Sequence, residues 1–312
     1  MEIISYSKNI ILPKKERYIA LGVFDGVHLG HQKLIKLTSD KAKKNDGISI
    51  VVTFDPHPDK IINPESNVFL LTTLEERVNL IGDLDVDVFL IIRFNNMMSK
   101  MSPEDFISEI LVNSLGVKEL FVGFNYKFGF QGNGNTDVLR KYGKLYRFKT
   151  NILKPIVVNN TIISSTIIKE YIKLGEIEKA KKLLGHDITI SGRVISGKGR
   201  GRKLLNFATA NIETQPDKIL PVNGVYLVEI KIDNKKYYGL MNIGIKPTFK
   251  ETERTIEVHI INFNKKIYRK KVVVNILQKI REEKYFNHPD LLKKQIEDDI
   301  LTAHKIISKY NR

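Results

Sequence analysis

The spacing of apolar residues changes period near Gly185, so one chain must carry two kinds of architecture. Before that point, short β-branched runs alternate with helical patterns. Strands are expected at Tyr18–Val23, Ile48–Phe54, Val86–Ile92 and Glu119–Val122. Between them, Gln32–Lys44 reads as a helix with Leu34, Ile35 and Leu37 inward, and Leu74–Leu84 and Pro103–Leu115 read as two more. Thr73 and Ser102 are placed to cap the latter two, with Glu76 and Pro103 in the supporting positions. Such alternation predicts an α/β domain with a parallel sheet. Ser165–Leu184 is one long helical pattern, with Ile168, Tyr171, Ile172, Ile177, Leu183 and Leu184 on its apolar side and Gly185 as its stop. Only strand-like runs follow: Ile188–Ile195, Gly224–Ile232, Tyr237–Ile243, Thr255–Phe263 and Lys271–Leu277. They predict an all-β barrel or sandwich, closed by a last helix over Pro289–Ile307. The expected domains are 1–184 and 185–312.

Hydrophobic residues make up 42% of the 312, enough for two cores. There is no cysteine, which excludes disulfides, cysteine nucleophiles and thiolate metal sites and fits a reducing cytoplasm. No apolar run approaches the roughly 20 residues that span a bilayer, and Met1–Lys15 lacks a signal-peptide core. A soluble, intracellular chain with no membrane partner is expected. The net charge of +16 favours anionic partners. The lysines are nevertheless spread along the chain rather than gathered in a block, so nucleic acid is the weaker reading and is not expected as a partner.

Directly after the first strand comes Gly22-Val-Phe-Asp-Gly-Val-His-Leu-Gly-His31, running into a helix. A strand, a glycine-bearing loop and a helix N-terminus make an anion site, because free amides and the helix dipole converge there. Gly30 allows close approach, and His28 and His31 can point the same way to donate to phosphoryl oxygens or a leaving pyrophosphate. Two incidental surface histidines, or a metal pair lacking a third ligand, explain the pattern less well.

A second anion-attracting stretch is Ser196-Gly-Lys-Gly-Arg-Gly-Arg-Lys203, in a region without acidic side chains from Ile188 to Ile212. It is not a Walker A loop, and on its residues alone it is equally a flexible basic loop.

In these stretches the chain resembles a known family. Gly22–His31 is similar to the H-x-G-H signature of adenylyltransferases, and in this form to the bacterial bifunctional riboflavin kinase/FAD synthetases. Thr53-Phe-Asp-Pro-His-Pro58, Leu71-Thr-Thr-Leu74, Val122–Gly129 and Ile163-Ser-Ser-Thr166 agree in order. So do Asn206-Phe-Ala-Thr-Ala-Asn211, Leu220–Tyr226, Asn242–Phe249, Thr255–His259 and Ile280–Phe286. The resemblance covers essentially the whole chain.

It implies a Rossmann-like nucleotidyltransferase domain followed by a six-stranded antiparallel barrel with a C-terminal helix. The first would adenylylate FMN to FAD with release of pyrophosphate; the second would phosphorylate riboflavin to FMN with release of ADP. His28 and His31 would stabilise the reacting phosphates of ATP. Gly22, Phe24, Asp25, Gly30, Asn125, Ser164, Ser165, Thr166 and Lys169 would bind nucleotide, and Phe54, Pro56, His57 and Phe128 would shape a flavin pocket. In the barrel, Gly197, Lys198, Gly199, Arg202, Thr209 and Asn211 would bind ATP, with Thr209 at an Mg2+ held with the phosphates. Arg281 and Phe286 would border the flavin. Ile256, Val258 and Ile260 should face one side of their strand and Thr255, Glu257 and His259 the other. On residues alone that is a solvent-facing side; the resemblance makes Glu257 the general base.

The chain departs from the family pattern at Lys169, where arginine is usual, at Asn125 and Lys127, where many members carry aspartate and arginine, and at Asn206 and Ala208, where glycine and proline are usual. The last two leave open a second reading: an FMN adenylyltransferase whose barrel is only a binding module. Met98-Ser99-Lys100 looks like an aminoacyl-tRNA synthetase loop but precedes a helix start at Ser102-Pro103, and reads as a loop. Self-association is left open.

Overall fold

A computed structural model describes residues 1–196, 209–233, 235–247 and 252–310. The chain divides into two compact units, Met1–Ser165 and Thr166–Arg312.

The first unit holds a six-stranded parallel sheet: β1 (Glu2–Ser5), β2 (Arg17–Leu21), β3 (Ile48–Asp55), β4 (Val88–Arg93), β5 (Val117–Gly123) and β6 (Lys149–Leu153), in the order β1-β4-β3-β2-β5-β6. Side chains alternate across a strand, and here both faces are covered. Ile19, Leu21, Ile50, Val52, Leu90 and Ile92 enter one core, and Tyr18, Ala20, Val51 and Phe89 enter the other. That is why the strands read as continuous apolar runs. Helix α1 (Leu29–Lys44) packs Leu34, Ile35 and Ala42 into the second core beside Ile81 of α3 (Leu74–Gly82). The expected inward Leu37 is instead 39% exposed, because the buried arc is made by Leu34, Ile35, Thr38, Ser39 and Ala42. At about 100° per residue, Leu37 falls well off that arc.

Thr73 caps α3 in a full capping box with Glu76, as the sequence predicts. A short α2 (Pro58–Ile62) follows β3, and α4 (Asn96–Ser99) follows β4. The expected helix from Pro103 is α-helical only over α5 (Pro103–Asp105); Phe106–Ser114 continues as a π-helix. There the Ser114 hydroxyl takes the Glu109 carbonyl at 2.8 Å, while Phe106, Ile107, Ile110 and Leu111 are buried. Helix α6 (Thr136–Tyr146) precedes β6, and a small hairpin, β7 (Val157–Val158) and β8 (Thr161–Ile162), leads to Ser165.

The expected single helix over Ser165–Leu184 is two, α7 (Ser165–Lys173) and α8 (Ile177–Leu184). Gly175 breaks it with φ +75, and a Cβ there would meet Val222 Cγ1 at 2.8 Å. A left-handed residue closes one helix, and glycine adopts it without a steric penalty.

The second unit is built on a closed antiparallel barrel, in the order β10-β13-β12-β11-β14-β9. Its strands are β9 (Ile188–Ile195), β10 (Thr209–Glu213), β11 (Gly224–Ile232), β12 (Lys235–Pro247), β13 (Thr252–Ile260) and β14 (Lys271–Glu282). β10 has no apolar run to announce it; Ala210 and Ile212 alone point inward, with Thr209 and Asn211 outward. Helix α9 (Pro289–Tyr310) lays Ala303, Ile300, Ile306 and Ile307 against Val225, Leu227, Leu240 and Leu277 on the outside of the barrel.

Candidate active sites

Strand β2 is flanked by β3 on one side and β5 on the other. Its carboxyl end is therefore a topological switch point, where open α/β sheets bind ligands. The chain leaves it through a contorted loop: Phe24, Gly26 and Val27 have φ of 55, 85 and 39. Bulky residues take such angles only when surrounding contacts hold them. Thr72 supplies several, its amide donating to Asp25 Oδ1 at 3.0 Å and its Oγ1 accepting from the Gly26 amide at 2.9 Å. Ser165 Oγ donates to the Asp25 carbonyl at 2.9 Å, which ties the Ile163-Ser-Ser stretch to the Gly22–His31 loop.

His28 is the N-cap of α1, its Nδ1 accepting the His31 amide proton at 3.2 Å. That contact leaves the proton of a neutral His28 ring on Nε2. The two imidazoles stack at 3.6 Å with 16° between their planes, and Phe24 meets His31 edge-on at 5.2 Å. What lies over Gly30 is this stack: a Cβ would stand 3.0 Å from His28 Cε1 and 3.1 Å from Nδ1. Likewise Gly22 makes room for the Phe24 ring, 3.2 Å from its would-be Cβ. Burial, and then the neighbouring His28, hold His31 well below the usual imidazole value of 6.5. Its Nδ1 is buried and makes no hydrogen bond to the described residues. The arrangement is a pair of closely stacked rings at a helix N-terminus, of which His31 is held in its neutral form.

Asn125 lies exposed in the turn after β5. His57 caps α2, its Nδ1 accepting from the Asp59 amide at 3.2 Å, and Pro56 precedes it. Phe54 and Phe128 are buried and both pack on Phe106, with ring centres 6.3 and 5.6 Å away. Phe94 and Tyr126 extend this aromatic row at its two ends. Thr166 and Lys169 lie on α7 in the second compact unit, with Thr166 exposed.

On the barrel, Glu257 stands directly opposite Asn211 of β10 and Asn242 of β12. Asn242 in turn faces Val225 of β11, which faces Arg281 of β14. Directly opposed residues project to one side of a sheet, so a row Asn211–Glu257–Asn242–Val225–Arg281 crosses five strands on the outer face. Thr209 precedes Asn211 by two on the same side. Arg281 is held by Asp299 of α9, with Nε 2.9 Å from both carboxylate oxygens and NH2 2.9 Å from Oδ2. Its guanidinium lies 5.9 Å from the Phe286 ring centre. Gly197, Lys198, Gly199 and Arg202, with Asn206 and Ala208, lie outside the described residues.

Three residues escaped the sequence reading. Thr72 belonged to a recognised motif without a role. Asp299 carried no signal beyond being acidic on a helix. Arg77 had one: it lies four residues before Ile81, on the buried stripe of α3, where a charge needs a reason.

A parallel sheet with stacked histidines at its switch point in one unit, and a closed barrel with a largely polar row on its outer face in the other, define a two-domain α/β plus β enzyme class. The family model for FAD synthetase matches residues 11–167, and that for riboflavin kinase matches 184–307. A bifunctional riboflavin kinase/FMN adenylyltransferase of Buchnera aphidicola subsp. Schizaphis graminum is 40% identical over 297 residues, 94% of this chain and 93% of that protein. One of Escherichia coli (strain K12) is 33% identical over 294 residues, with the same coverage of 94% and 93%. A solved structure called macrolide-efflux protein, from Streptococcus pneumoniae, superposes with TM-score 0.88 at 27% identity, covering 97% of this chain and 99% of that one. Among the described residues of this chain, no helix is long and apolar enough to cross a membrane. The chain belongs to the bifunctional riboflavin kinase/FMN adenylyltransferase family.

Proposed function

We propose that this chain phosphorylates riboflavin to FMN with ATP in residues 185–312, and adenylylates FMN to FAD with a second ATP in residues 1–184. The observation that carries the first-unit assignment is the His28–His31 stack at the start of α1. An FMN phosphate oxygen attacks the α-phosphorus of ATP, and the bond to the bridging oxygen breaks to release pyrophosphate. His28, with its proton on Nε2, donates to phosphate oxygens as charge builds on them. His31, held neutral, adds a second donor that costs no reorganisation. Gly22, Phe24, Asp25 and Gly30 shape the loop; Asn125, Ser164, Ser165, Thr166 and Lys169 contact nucleotide. Phe54, Pro56, His57 and Phe128 form the flavin side.

In the barrel, the 5′-hydroxyl of riboflavin attacks the γ-phosphorus of ATP, ADP leaves, and Glu257 takes the hydroxyl proton. Thr209 and Asn211, with Gly197, Lys198, Gly199 and Arg202, hold the nucleotide, while Arg281 and Phe286 border the flavin. The oxygen donors of Thr209 and Asn211 suit Mg2+. Among the described residues no group of three His, Cys, Asp or Glu gathers to cage a metal by itself, so the ion would arrive on the nucleotide. Its contribution when bound is to neutralise phosphate charge. We also assign the protein to the cytoplasm, a reading that its cysteine-free sequence fits.

The test supplies the purified chain with riboflavin, ATP and Mg2+ and resolves FMN and FAD chromatographically. Wild type should form both. The double variant His28→Ala, His31→Ala should lose FAD formation by about 10²-fold or more while FMN formation persists. Equal loss of both products would count against local chemistry. Fragments 1–184 and 185–312, each shown to be folded by circular dichroism, should separate the two activities; activity confined to the intact chain would overturn the division.

A further inference from the structure

Arg77 is a buried guanidinium, 2% exposed, on the core-facing side of α3. Its neighbours are not those of a simple ion pair. NH1 donates to the carbonyl of Val23 at 2.9 Å and to Thr53 Oγ1 at 3.2 Å, and Thr53 Oγ1 itself donates to the same Val23 carbonyl at 2.9 Å. NH2 lies 3.6 Å from Asp55 Oδ1. Val23 opens the loop that carries His28, and Asp55 ends β3 immediately before Pro56 and His57. One planar, rigid group therefore contacts both the histidine loop and the flavin-side turn. The segment just before α3 grips the loop a second time, through Thr72 to Asp25 and Gly26.

A guanidinium is suited to this joint because its donors diverge in fixed directions. One arm sets the Val23 carbonyl, and with it the left-handed backbone at Phe24. The other arm sets the end of β3. Moving either by about 1 Å separates the reacting groups enough to cost up to about 10²-fold in rate. A buried guanidinium is an expensive way to fill core space, and an apolar residue on this stripe would do that better.

We propose that Arg77 is a positioning residue for adenylyl transfer, fixing the spacing between the histidine loop and the flavin-side turn. This rests on the assignment of FAD formation to the first unit. The test uses the full chain, with riboflavin phosphorylation as an internal control, and measures steady-state kinetics of FAD formation from FMN and ATP. Arg77→Lys keeps charge but loses the divergent donors; kcat should fall at least about tenfold, with the kinase rate unchanged. Asp55→Asn relaxes only the flavin-side arm, so the KM for FMN should rise several-fold while the KM for ATP stays put. A Lys variant with wild-type kcat, or an Asn variant that raises both KM values alike, overturns the proposal. If the Lys variant does not fold by circular dichroism, the KM split in Asp55→Asn decides. A wild-type chain that made no FAD at all would instead overturn the underlying assignment, and the brace with it.

Discussion

Asn211 of β10 and Glu257 of β13 form a directly opposed cross-strand pair on the outward side of the barrel. Such partners have Cβ atoms about 5 Å apart. The amide assigned to nucleotide phosphate and the carboxylate assigned to the riboflavin hydroxyl are thus placed side by side by strand register alone. Asn242 flanks Glu257 on the other strand, and the row ends at Arg281.

Glu257→Gln keeps size and hydrogen bonding but removes basicity. It should lower kcat for FMN formation about a hundredfold, leave riboflavin affinity near wild type and not alter FAD formation from supplied FMN. Some rate persists, because much of phosphoryl transfer is positioning and charge neutralisation. Near-normal kinase turnover in this variant would remove Glu257 from the chemistry.

His31 gives the first unit a pH signature. Its folded pKa is depressed by burial, then by His28, well below 6.5. Above pH 6.5 the ring is neutral in both folded and unfolded chains and adds no pH dependence. Below it, the unfolded chain binds a proton that the folded one refuses, so stability falls as pH falls, by up to about 1.4 kcal/mol per unit. Urea melts at pH 7.5, 6.5 and 5.5 should show this loss in the wild type, and His31→Gln should lack it. An NMR titration of the His31 ring with an ordinary midpoint would contradict the assignment.

Asp299 is 4% exposed and clamps Arg281 through three contacts of 2.9 Å, supported by Gln295 Nε2 at 3.0 Å. Asp299→Asn removes the charge but not the shape. Leaving the guanidinium without its counter-charge should cost about 3 kcal/mol of stability and free Arg281 from its place beside Phe286. The riboflavin KM of the kinase should rise about tenfold, the equivalent of 1.4 kcal/mol, with FAD formation unaffected. An unchanged KM would mean that Arg281 does not meet the flavin.

What was legible in the sequence was local or repetitive. The shift in apolar period near Gly185 announced a parallel α/β sheet and then an all-β unit, barrel or sandwich, because each element writes its own burial pattern; the closed barrel was implied only by the family resemblance. Thr73 with Glu76 marked a helix start, and Gly22–His31 marked a strand-loop-helix anion site, because caps and tight loops are made by residues close in the chain. Where the local pattern was followed too far it misled: Leu37 turned outward, and Gly175 broke a helix that apolar spacing alone would have continued. The rest was decided by contacts between distant residues. Arg77 reaches Val23 across 54 positions, and nothing in the helix around it names that carbonyl. The row from Asn211 to Arg281 exists only because five neighbouring strands pair in the register that sets these residues opposite one another. Apolar period determines which side of an element is buried; only the packed structure determines which other element meets it, and so which polar groups become neighbours.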